Sequence, residues 1–466
     1  MNHHEKKESG VLRYSLILSS SLIVVACAGT PHLSAAPDLA LPDTYVSAPA
    51  AHGPQEPDWV SALGDGALPG LIGTALANNP DLAAARANTE AARASARAGQ
   101  APRLPSVDFG TTAVTRPAGE VYSAGIDVSW QADVWGRISN LARASALSAE
   151  AAEADYAGAE LSIAASVAST WFALTEARLQ RELSEHDVAT RQRQLDIVER
   201  RFVRGVVRSS DVRTARSALA SSQATLSIRQ RAESQTARGL QTLLGAYPDG
   251  SVTPGAELPM LAALPAPGTP GELISRRPDV VAAEFRLAAA GFSAEAARKA
   301  LYPSLSLIGS YSGQTTEISD LFSPSTLVES LTASITAPIF RAGALRAERD
   351  RAAALARAQA ASYVNTSLTA LREVENALTA DSLLADRVAA LETAREEAQA
   401  ALELVERQYA SGVGTIFELI DAQTRLIQAE GQLITARRER IDNRIALHLA
   451  IAGPFNAPAA LIPSEQ

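Results

Sequence analysis

A long internal duplication constrains this chain more than any other feature of its sequence. The segment at 276–305 repeats, without a gap, the Pro-Asp pair and the Pro-Ser pair of the segment at 78–107. The segment at 405–426 repeats the one at 198–219, and each contains a glycine at the equivalent place. The repeated unit is far longer than the roughly 20–50 residues of solenoid repeats. The chain is therefore expected to fold as two similar halves related by pseudo-symmetry.

The composition excludes several classes of protein. The 466-residue chain has a formal net charge of −9, which argues against a nucleic-acid partner. Its six histidines are scattered without the spacing of metal ligands. No phosphate-binding loop and no nucleophile beside a base is recognisable. We expect no nucleic-acid partner, no metal, no cofactor and no enzymatic activity.

The N-terminus has the pattern of an exported lipoprotein. Basic residues precede the apolar stretch LILSSSLIVVA at 16–26, which is too short to span a bilayer as a permanent helix. The single cysteine, Cys27, follows in a VVAC sequence similar to the bacterial lipobox. We interpret 1–26 as a lipoprotein signal peptide and 27–65, rich in Pro, Ala and Ser, as a lipidated extended tether. An ordinary signal peptide with an incidental cysteine is the alternative.

Four stretches alternate apolar and polar residues with the period of a β-strand. The clearest lies at 122–134, where apolar residues and residues such as Ser, Asp and Gln alternate without exception. The others lie at 107–113, 304–312 and 330–337, and a Pro-Ala-Gly turn at 117–119 follows the first of them. Each half of the duplication therefore supplies two strands.

Helical segments make up most of the remaining chain and also occur in both halves. They are predicted at 66–101, 137–204 and 211–245 in the first half and at 271–301, 344–411 and 415–452 in the second. The longest runs contain no proline and predict helices of about 100 Å. A glycine turn then reverses the chain, and leucine alternating with alanine at coiled-coil spacing predicts closely packed helical hairpins. The predicted regions are a first repeat at 66–253, a linker at 254–270, a second repeat at 271–453 and a tail at 454–466.

The strands limit the possible architectures. Strands of about 10–13 residues can cross a bilayer when tilted, but four strands cannot close a barrel, and open sheet edges are not tolerated in lipid. Beyond the N-terminus, no apolar run predicts a membrane helix. We therefore expect a trimer whose copies share one barrel, with a soluble β-sandwich as the alternative. Trp130 and Trp135 suit the aromatic belt of a membrane interface better than a ligand site.

Several motifs resemble those of a known family. The sequence SWQADVWGR at 129–137 is similar to the S-W-x-x-D-x-W-G-R signature of NodT-like outer-membrane efflux lipoproteins, a branch of the TolC family. RPDV at 277–280, YPS at 302–304 and APIF at 337–340 match further family motifs. The resemblance covers about 58–453. It implies a mainly α protein with a membrane β-barrel portion. Its duplicated protomers would each give four barrel strands and long coiled-coil hairpins to a homotrimeric α/β channel-tunnel.

The same resemblance implies a location, partners and a task. Such channels lie in the bacterial outer membrane with a periplasmic extension. They dock onto a periplasmic adaptor that recruits an inner-membrane pump, usually of the resistance-nodulation-division type. The chain is expected to be a lipid-anchored, passive duct that exports drugs or other toxic small molecules. An exit duct for metal or for type I protein secretion is an alternative, and a periplasmic coiled-coil scaffold lipoprotein is another.

By resemblance, a gate lies where the second helix of each hairpin starts. The acidic residues that narrow the tube in the family fall at Glu418 and Asp421, where charged rings would set the ion preference. A latch between a tyrosine and an aspartate of the neighbouring hairpin falls at Tyr409 and Asp211. An arginine of that latch in some relatives is Gly414 here, so the latch is expected to differ. Apart from the family, an acid in a first helical turn is favoured by the helix dipole.

The turns of the two helical hairpins are expected to meet the adaptor. We call 203–209 the first tip and 410–416 the second tip. The family's R-Y-x-x-G-x-x-S turn is matched, with Phe in place of Tyr, by Arg201, Phe202, Gly205 and Ser209. Gly412 is the matching glycine of the second tip. A glycine is needed for the chain to reverse whether or not a partner docks.

Overall fold

The described part of the chain is mainly helical and contains one four-stranded sheet. This computed structural model describes residues 37, 39–48, 59–117, 119–264 and 266–451. The predicted signal peptide, Cys27 and the C-terminal tail lie outside these residues. The chain divides into two compact units, and each takes segments from both copies of the duplication. The described residues of 94–148 and 286–360 belong to the first unit, and those of 37–93, 149–285 and 361–451 to the second.

The first unit contains an antiparallel sheet in the order β1-β2-β3-β4. The strands are β1 Ser106–Arg116, β2 Gly119–Ala132, β3 Ser304–Thr315 and β4 Leu327–Thr336. All four predicted strands are present, and none of their ends differs from the prediction by more than three residues. Within the described chain, β1 and β4 each pair on one side only. Their outer edges therefore offer unpaired backbone groups to another strand.

The strand register gives the sheet two chemically different faces. One face is mostly apolar and carries Val107, Phe109, Ile126, Val128, Trp130, Leu305, Leu307, Tyr311, Leu331, Ala333 and Ile335, with polar exceptions that include Thr111 and Glu329. The other face is mostly polar and carries Asp108, Asp127, Ser129, Gln131, Ser306, Ser310, Ser330, Thr332 and Ser334. On the apolar face, Phe109 is 65% exposed and Leu331 is 80% exposed. Among the described residues, no other layer covers this face.

The described helices follow the same order in both copies. They are α1 Trp59–Ala62, α2 Leu68–Asn78, α3 Pro80–Gln100, α4 Arg137–Val203, α5 Ser209–Leu243, α6 Pro270–Arg276, α7 Pro278–Lys299, α8 Ala344–Ala410 and α9 Ile416–Ala450. Two short 3₁₀ turns lie at Ala101–Arg103 and Ile318–Asp320. Helices α4 and α8 each have 67 residues, and their hairpin partners α5 and α9 each have 35. The predicted helical hairpins are therefore present in both copies.

The helical segment before each pair of strands is divided in two. Asn79 separates α2 from α3, and Arg277 separates α6 from α7. Each precedes a proline and is extended, with ψ of 125° and 122°, because a following proline disfavours the helical conformation. Asn79 donates to the carbonyl of Leu243 at 2.8 Å, whereas Arg277 forms ion pairs with Asp279 and Glu373. The prediction of an unbroken helix in each half was wrong for this reason.

Part of the predicted tether is folded into the second unit. Trp59 is 2% exposed and Leu63 is 1% exposed, and both belong to a hydrophobic core that includes Phe172. Upstream, the backbone N–H of Ser47 donates to a carboxylate oxygen of Glu375 in α8 at 2.9 Å. The extended conformation predicted for the whole tether was therefore wrong for these described residues, because their apolar side chains are buried among the helices.

One described helix passes a length and composition test for a membrane span. Helix α4 contains an 18-residue window with a mean hydropathy of 1.2, and 44% of that window is buried. The same helix supplies Leu161, Ala164 and Phe172 to the core of the second unit. Packing against other helices accounts for these apolar residues of α4.

Candidate functional site at the hairpin tips

The first tip reverses the chain between α4 and α5. Gly205 has a φ of +73°, a conformation that glycine adopts without steric cost. Its N–H donates to the carbonyl of Phe202 at 2.8 Å and helps to close the end of α4. Asp211, in the first turn of α5, accepts a hydrogen bond from the backbone N–H of Arg208 at 3.1 Å. Ser209 is the exposed first residue of α5.

The second tip has the same form but a stronger cap. Gly412 has a φ of +82°, and its N–H donates to the carbonyl of Tyr409 at 3.2 Å. Thr415 and Glu418 form a reciprocal capping box at the start of α9. The Thr415 backbone N–H donates to Glu418 Oε2 at 2.7 Å, and the Glu418 backbone N–H donates to Thr415 Oγ1 at 3.3 Å. Donation by the backbone and hydroxyl of Thr415 lowers the pKa of the Glu418 carboxyl.

Asp421 lies one turn further along α9 and is exposed. Its carboxylate accepts a hydrogen bond from Arg425 Nε at 2.9 Å, and the two side chains are 61% and 73% exposed. Exposed ion pairs of this kind contribute little to stability. The two predicted gate carboxylates therefore differ, since Glu418 is engaged by a helix cap while Asp421 has only a solvent-exposed partner.

The predicted latch residues Tyr409 and Asp211 are not brought together within the protomer. The Asp211 carboxylate binds Arg208 N–H and Ser210 Oγ, and the buried Tyr409 hydroxyl has no hydrogen-bond partner among the described residues. Instead, the guanidinium carbon of Arg201 lies 4.7 Å from the centre of the Tyr409 ring. The sequence did not predict this contact, because two residues on different helices leave no local pattern.

A hydrophobic cluster joins the two hairpins beside their tips. It contains Leu195, Val198, Val212, Ala215, Leu219, Leu402, Ile416, Leu419, Ala422 and Leu426. Within it, Val198 is 0% exposed and Leu419 is 4% exposed. Tyr409 packs against the cluster with its ring partly buried. All four hairpin helices contribute, so this cluster holds the two tips side by side in one protomer.

Both tips also carry apolar side chains that the protomer leaves exposed. Phe202 is 45% exposed, Val203 85%, Val206 69%, Val413 83% and Phe417 59%. Phe417 was not singled out from the sequence. Its signal is an aromatic residue in the first turn of α9 that does not belong to the apolar coiled-coil positions. Exposed apolar groups close together are typical of protein interaction sites.

The two tryptophans after the second strand bind backbone carbonyls. The indole N–H of Trp130 donates to the carbonyl of Arg103 at 3.1 Å, and that of Trp135 donates to the carbonyl of Pro303 at 2.7 Å. These bonds connect the end of β2 to the segments that lead into β1 and β3. The ring of Trp135 lies 5.3 Å from that of Tyr302. A position of both tryptophans in a membrane interface remains a prediction.

The fold and these sites together define a class of protein. The sheet has one uncovered apolar face and one polar face, the arrangement of strands that separate lipid from an aqueous pore. Each pair of strands is followed by a long helical hairpin with an exposed apolar tip. In the part of the chain that the structure describes, no group of three or more His, Cys, Asp or Glu residues could hold a metal ion. The class is that of outer-membrane channels built from strands and helical hairpins.

Comparison with known proteins identifies the family. The sequence profile of the outer membrane efflux protein family matches residues 71–246 and 269–453, and the chain belongs to this family. It is 30% identical to the pyoverdine export outer membrane protein OpmQ of Pseudomonas aeruginosa, over 95% of this chain and 97% of the relative. It is 28% identical to the cation efflux system protein CusC of Escherichia coli, over 87% and 90% of the two chains. The solved structure of the outer-membrane channel OprN matches with a TM-score of 0.81 at 29% identity, covering 90% of this chain and 99% of that one.

The protein is accordingly an outer-membrane efflux channel. It is a trimeric channel that works with a periplasmic adaptor and an inner-membrane pump, and it extends from the outer membrane into the periplasm as a helical tunnel. The predicted family, fold class, location and partners are confirmed. The members of this family are channel and transport proteins. The roles of the individual site residues remain predictions.

Proposed function

We propose that this channel is a passive duct through which small molecules such as drugs or other toxic compounds leave the cell, without any enzymatic step. The observation that carries the proposal is the two-faced sheet with free outer edges. Three copies joined edge to edge would turn the apolar face to lipid and the polar face to a water-filled pore. The pump, powered on the other side of the periplasm, would supply the energy and most of the selectivity.

The polar face favours small organic molecules as cargo. On β3 and β4 it carries mainly Ser and Thr hydroxyls, which hydrogen-bond many polar groups without selecting one charge, while Asp108 and Asp127 add negative charge on β1 and β2. The similarity to CusC supports a second candidate, the export of cations. Complementation of a strain that lacks its own outer-membrane efflux channels discriminates between the two. Restored growth on organic drugs but not on copper or silver salts supports organic cargo, and the reverse result supports cation export.

We also propose that Glu418 and Asp421 form the gate of this duct. In a trimer each residue would occur three times around one axis, and rings of carboxylates attract cations and repel one another. The pKa of Glu418 is lowered from its ordinary value of 4.5, so its carboxylate is charged at neutral pH and stays charged further into the acid range. Neutralising both residues should therefore widen the tip and weaken the preference for cations.

Single-channel recording of the purified trimer in planar bilayers tests the duct and the gate together. The Glu418→Gln/Asp421→Asn variant is expected to open more often than the wild type and to lose much of its cation selectivity. The matched control is Glu396→Gln/Glu397→Gln, which removes the same charge from an exposed part of α8 away from the tip. Folded trimers that pass no ions in any of these forms would overturn the duct, and equal openings in the two variants would overturn the gate.

We propose that Cys27 carries the lipid anchor. The support is its position directly after the apolar segment at 16–26 in a VVAC sequence. Mass spectrometry of the mature N-terminal peptide is expected to find acyl chains on Cys27 in the wild type. A mature protein that begins at another residue without acyl chains would contradict the proposal. The Cys27→Ala variant should still reach the outer membrane through its strands.

We propose that the two tips form the docking surface for the adaptor. The exposed side chains of Val203 and Val413 support this surface, because a partner that covers them would remove apolar area from water. A photo-crosslinking residue at either position is expected to capture the adaptor in intact cells. Position 383, where Leu383 is 63% exposed on α8, is the control. Equal capture of the adaptor at Leu383 and at the tips would contradict the proposed surface.

A further inference from the structure

The geometry points to Arg201 as a positioning residue of the gate. We propose that its guanidinium, stacked on the ring of Tyr409, holds the second tip against the end of α4 within one protomer. In this way it sets the resting position of the first turn of α9, which carries Glu418. The inference rests on the gate proposed above, and it assigns to Arg201 a task separate from the adaptor docking predicted from the sequence.

Two contacts of Arg201 converge on one residue at the end of α8. Its guanidinium lies 4.7 Å from the ring centre of Tyr409, within the range of a cation–π interaction. Its Nη1 also donates to the Tyr409 carbonyl at 3.3 Å. The same carbonyl accepts the N–H of Gly412, the glycine that reverses the second tip. Arg201 therefore contacts both the ring and the backbone carbonyl of Tyr409, the residue just before the second tip.

The cation–π contact of Arg201 involves the aromatic ring of Tyr409 and not its hydroxyl group. The Tyr409 hydroxyl is buried without a hydrogen-bond partner among the described residues, whereas the ring packs against both Arg201 and the hydrophobic cluster beside the tips. A latch through the hydroxyl and a latch through the ring make opposite predictions for the Tyr409→Phe variant. Phenylalanine keeps the ring face that attracts the cation and removes only the hydroxyl.

The turn of the second tip leaves little room for a side chain at Gly414. A Cβ added at Gly414 would lie 3.1 Å from the Tyr409 nitrogen and 3.2 Å from Gln408 Cβ, which is closer than most contacts of that kind. The Gly414 N–H also donates to the Gln408 carbonyl at 3.0 Å. A side chain at this position would need these neighbouring atoms to move by a few tenths of an ångström. In this chain the turn is tight, and the arginine beside Tyr409 comes from the other hairpin.

The duplication supplies an internal comparison. The residues equivalent to Arg201 and Tyr409 in the other copy are Gln408 and Phe202. A neutral amide cannot form a cation–π contact, and Phe202 is 45% exposed. The stacked pair thus exists at one of the two equivalent places only. A contact needed merely to close a hairpin would be expected in both copies, so the asymmetry favours a specific role at the second tip.

The experiment compares five variants of the full-length trimer in planar bilayers. Arg201→Gln and Tyr409→Leu are each expected to raise the open probability about fivefold, which corresponds to the loss of about 1 kcal/mol at a partly exposed cation–π contact. Tyr409→Phe should behave like the wild type. Arg201→Lys should fall between, because lysine keeps the charge but lacks the planar group that stacks. Arg200→Gln, the neighbouring exposed arginine, is the matched control and should change nothing.

Amide hydrogen exchange supplies a readout that does not depend on gating. Exchange at the second tip should become faster in Arg201→Gln and Tyr409→Leu but not in Tyr409→Phe or Arg200→Gln, while heat-resistant trimers show that each variant is folded. An Arg201→Gln variant with wild-type exchange would overturn the inference. So would a Tyr409→Phe variant that opens as much as Tyr409→Leu, since the hydroxyl would then be the latch. If the Glu418→Gln/Asp421→Asn variant fails to open while exchange responds as expected, the proposed gate is overturned and the positioning of the tip stands.

Discussion

Ile126 of β2 lies directly opposite Tyr311 of β3, and the next residue, Asp127, lies opposite Ser310 on the other face of the sheet. Ile126 is 45% exposed and Tyr311 is 51% exposed in the protomer. The same division continues through most of β1 and β4, although Glu329 of β4 lies opposite Tyr311 on the mostly apolar face. A sheet with this division fits an environment that is apolar on one side and aqueous on the other.

The two faces predict very different effects on trimer assembly for arginine substitutions at neighbouring positions. Ile126→Arg would place a charge toward lipid near the middle of the strand, at a cost of about 2–4 kcal/mol. Asp127→Arg would place the same side chain toward the pore, where water solvates it. Heat-modifiable migration of trimers from outer membranes is expected to show a large loss of assembled Ile126→Arg and near wild-type amounts of Asp127→Arg. Equal assembly of the two variants would contradict the assigned faces.

The break between α2 and α3 predicts a stabilising role for Asn79. The Asn79 side-chain oxygen accepts the N–H of Leu82 at 3.1 Å, and its amide donates to the Leu243 carbonyl at 2.8 Å. Asn79→Ala is expected to destabilise the protein by about 1–2 kcal/mol, because a helix cap and a buried hydrogen bond are lost. The midpoint of thermal trimer dissociation measures the effect. The exposed neighbour Asn78 gives the control Asn78→Ala, and an equal shift in both variants would argue against the cap.

The cap of α9 predicts a dependence of the second tip on pH. The pKa of Glu418 lies below its ordinary value of 4.5, because the backbone N–H and the hydroxyl of Thr415 donate to the carboxylate. The carboxylate therefore stabilises the cap fully above the unfolded pKa, and this stabilisation disappears as the pH falls through the lowered folded pKa.

Amide exchange of the first turn of α9 checks this prediction. Glu418→Gln should exchange faster than the wild type near neutral pH, after correction for intrinsic exchange rates. The two proteins should converge as the pH falls below the folded pKa of Glu418. A difference that stays constant across the acid range would show that the cap does not depend on the charge of Glu418.

Local patterns in the sequence predicted most of the fold. Alternation of apolar and polar residues, clearest at 122–134, located the four strands, because a sheet with one apolar and one polar face requires a period of two. The Thr-x-x-Glu pattern of Thr415 and Glu418 is a readable capping box. Pro80 and Pro278 could also have indicated the two helix breaks, since the residue before a proline avoids the helical conformation. The helical periodicity continues on both sides of each proline, so the two helix breaks were not predicted.

Contacts between distant residues could not be predicted in the same way. The stack of Arg201 on Tyr409 joins residues of different hairpins, and its distance depends on how α4 and α8 pack. The burial of Trp59 in the core depends likewise on helices far along the chain, so its surroundings in a Pro- and Ala-rich segment predicted an extended tether. The family resemblance therefore gave the candidate gate residues, which remain a prediction, and the structure supplied the partner of Tyr409.

The central claim is that three protomers join their sheets into one barrel through the free edges of β1 and β4. Cysteine cross-linking between these edges tests it most directly. Thr111→Cys in β1 is combined in turn with a cysteine at each position from 329 to 333 in β4, and the Ser123→Cys variant in the inner strand β2 serves as the control partner.

Opposed cysteines on adjacent strands come close enough for a disulfide, so at one or two registers we expect covalently linked dimers and trimers on non-reducing gels. The control pairs with Ser123→Cys should remain monomeric, because β3 separates β2 from β4 within a protomer and β1 would separate β2 from the β4 of the next protomer. Intact trimers that yield only monomer bands at every register would contradict a barrel shared by three copies.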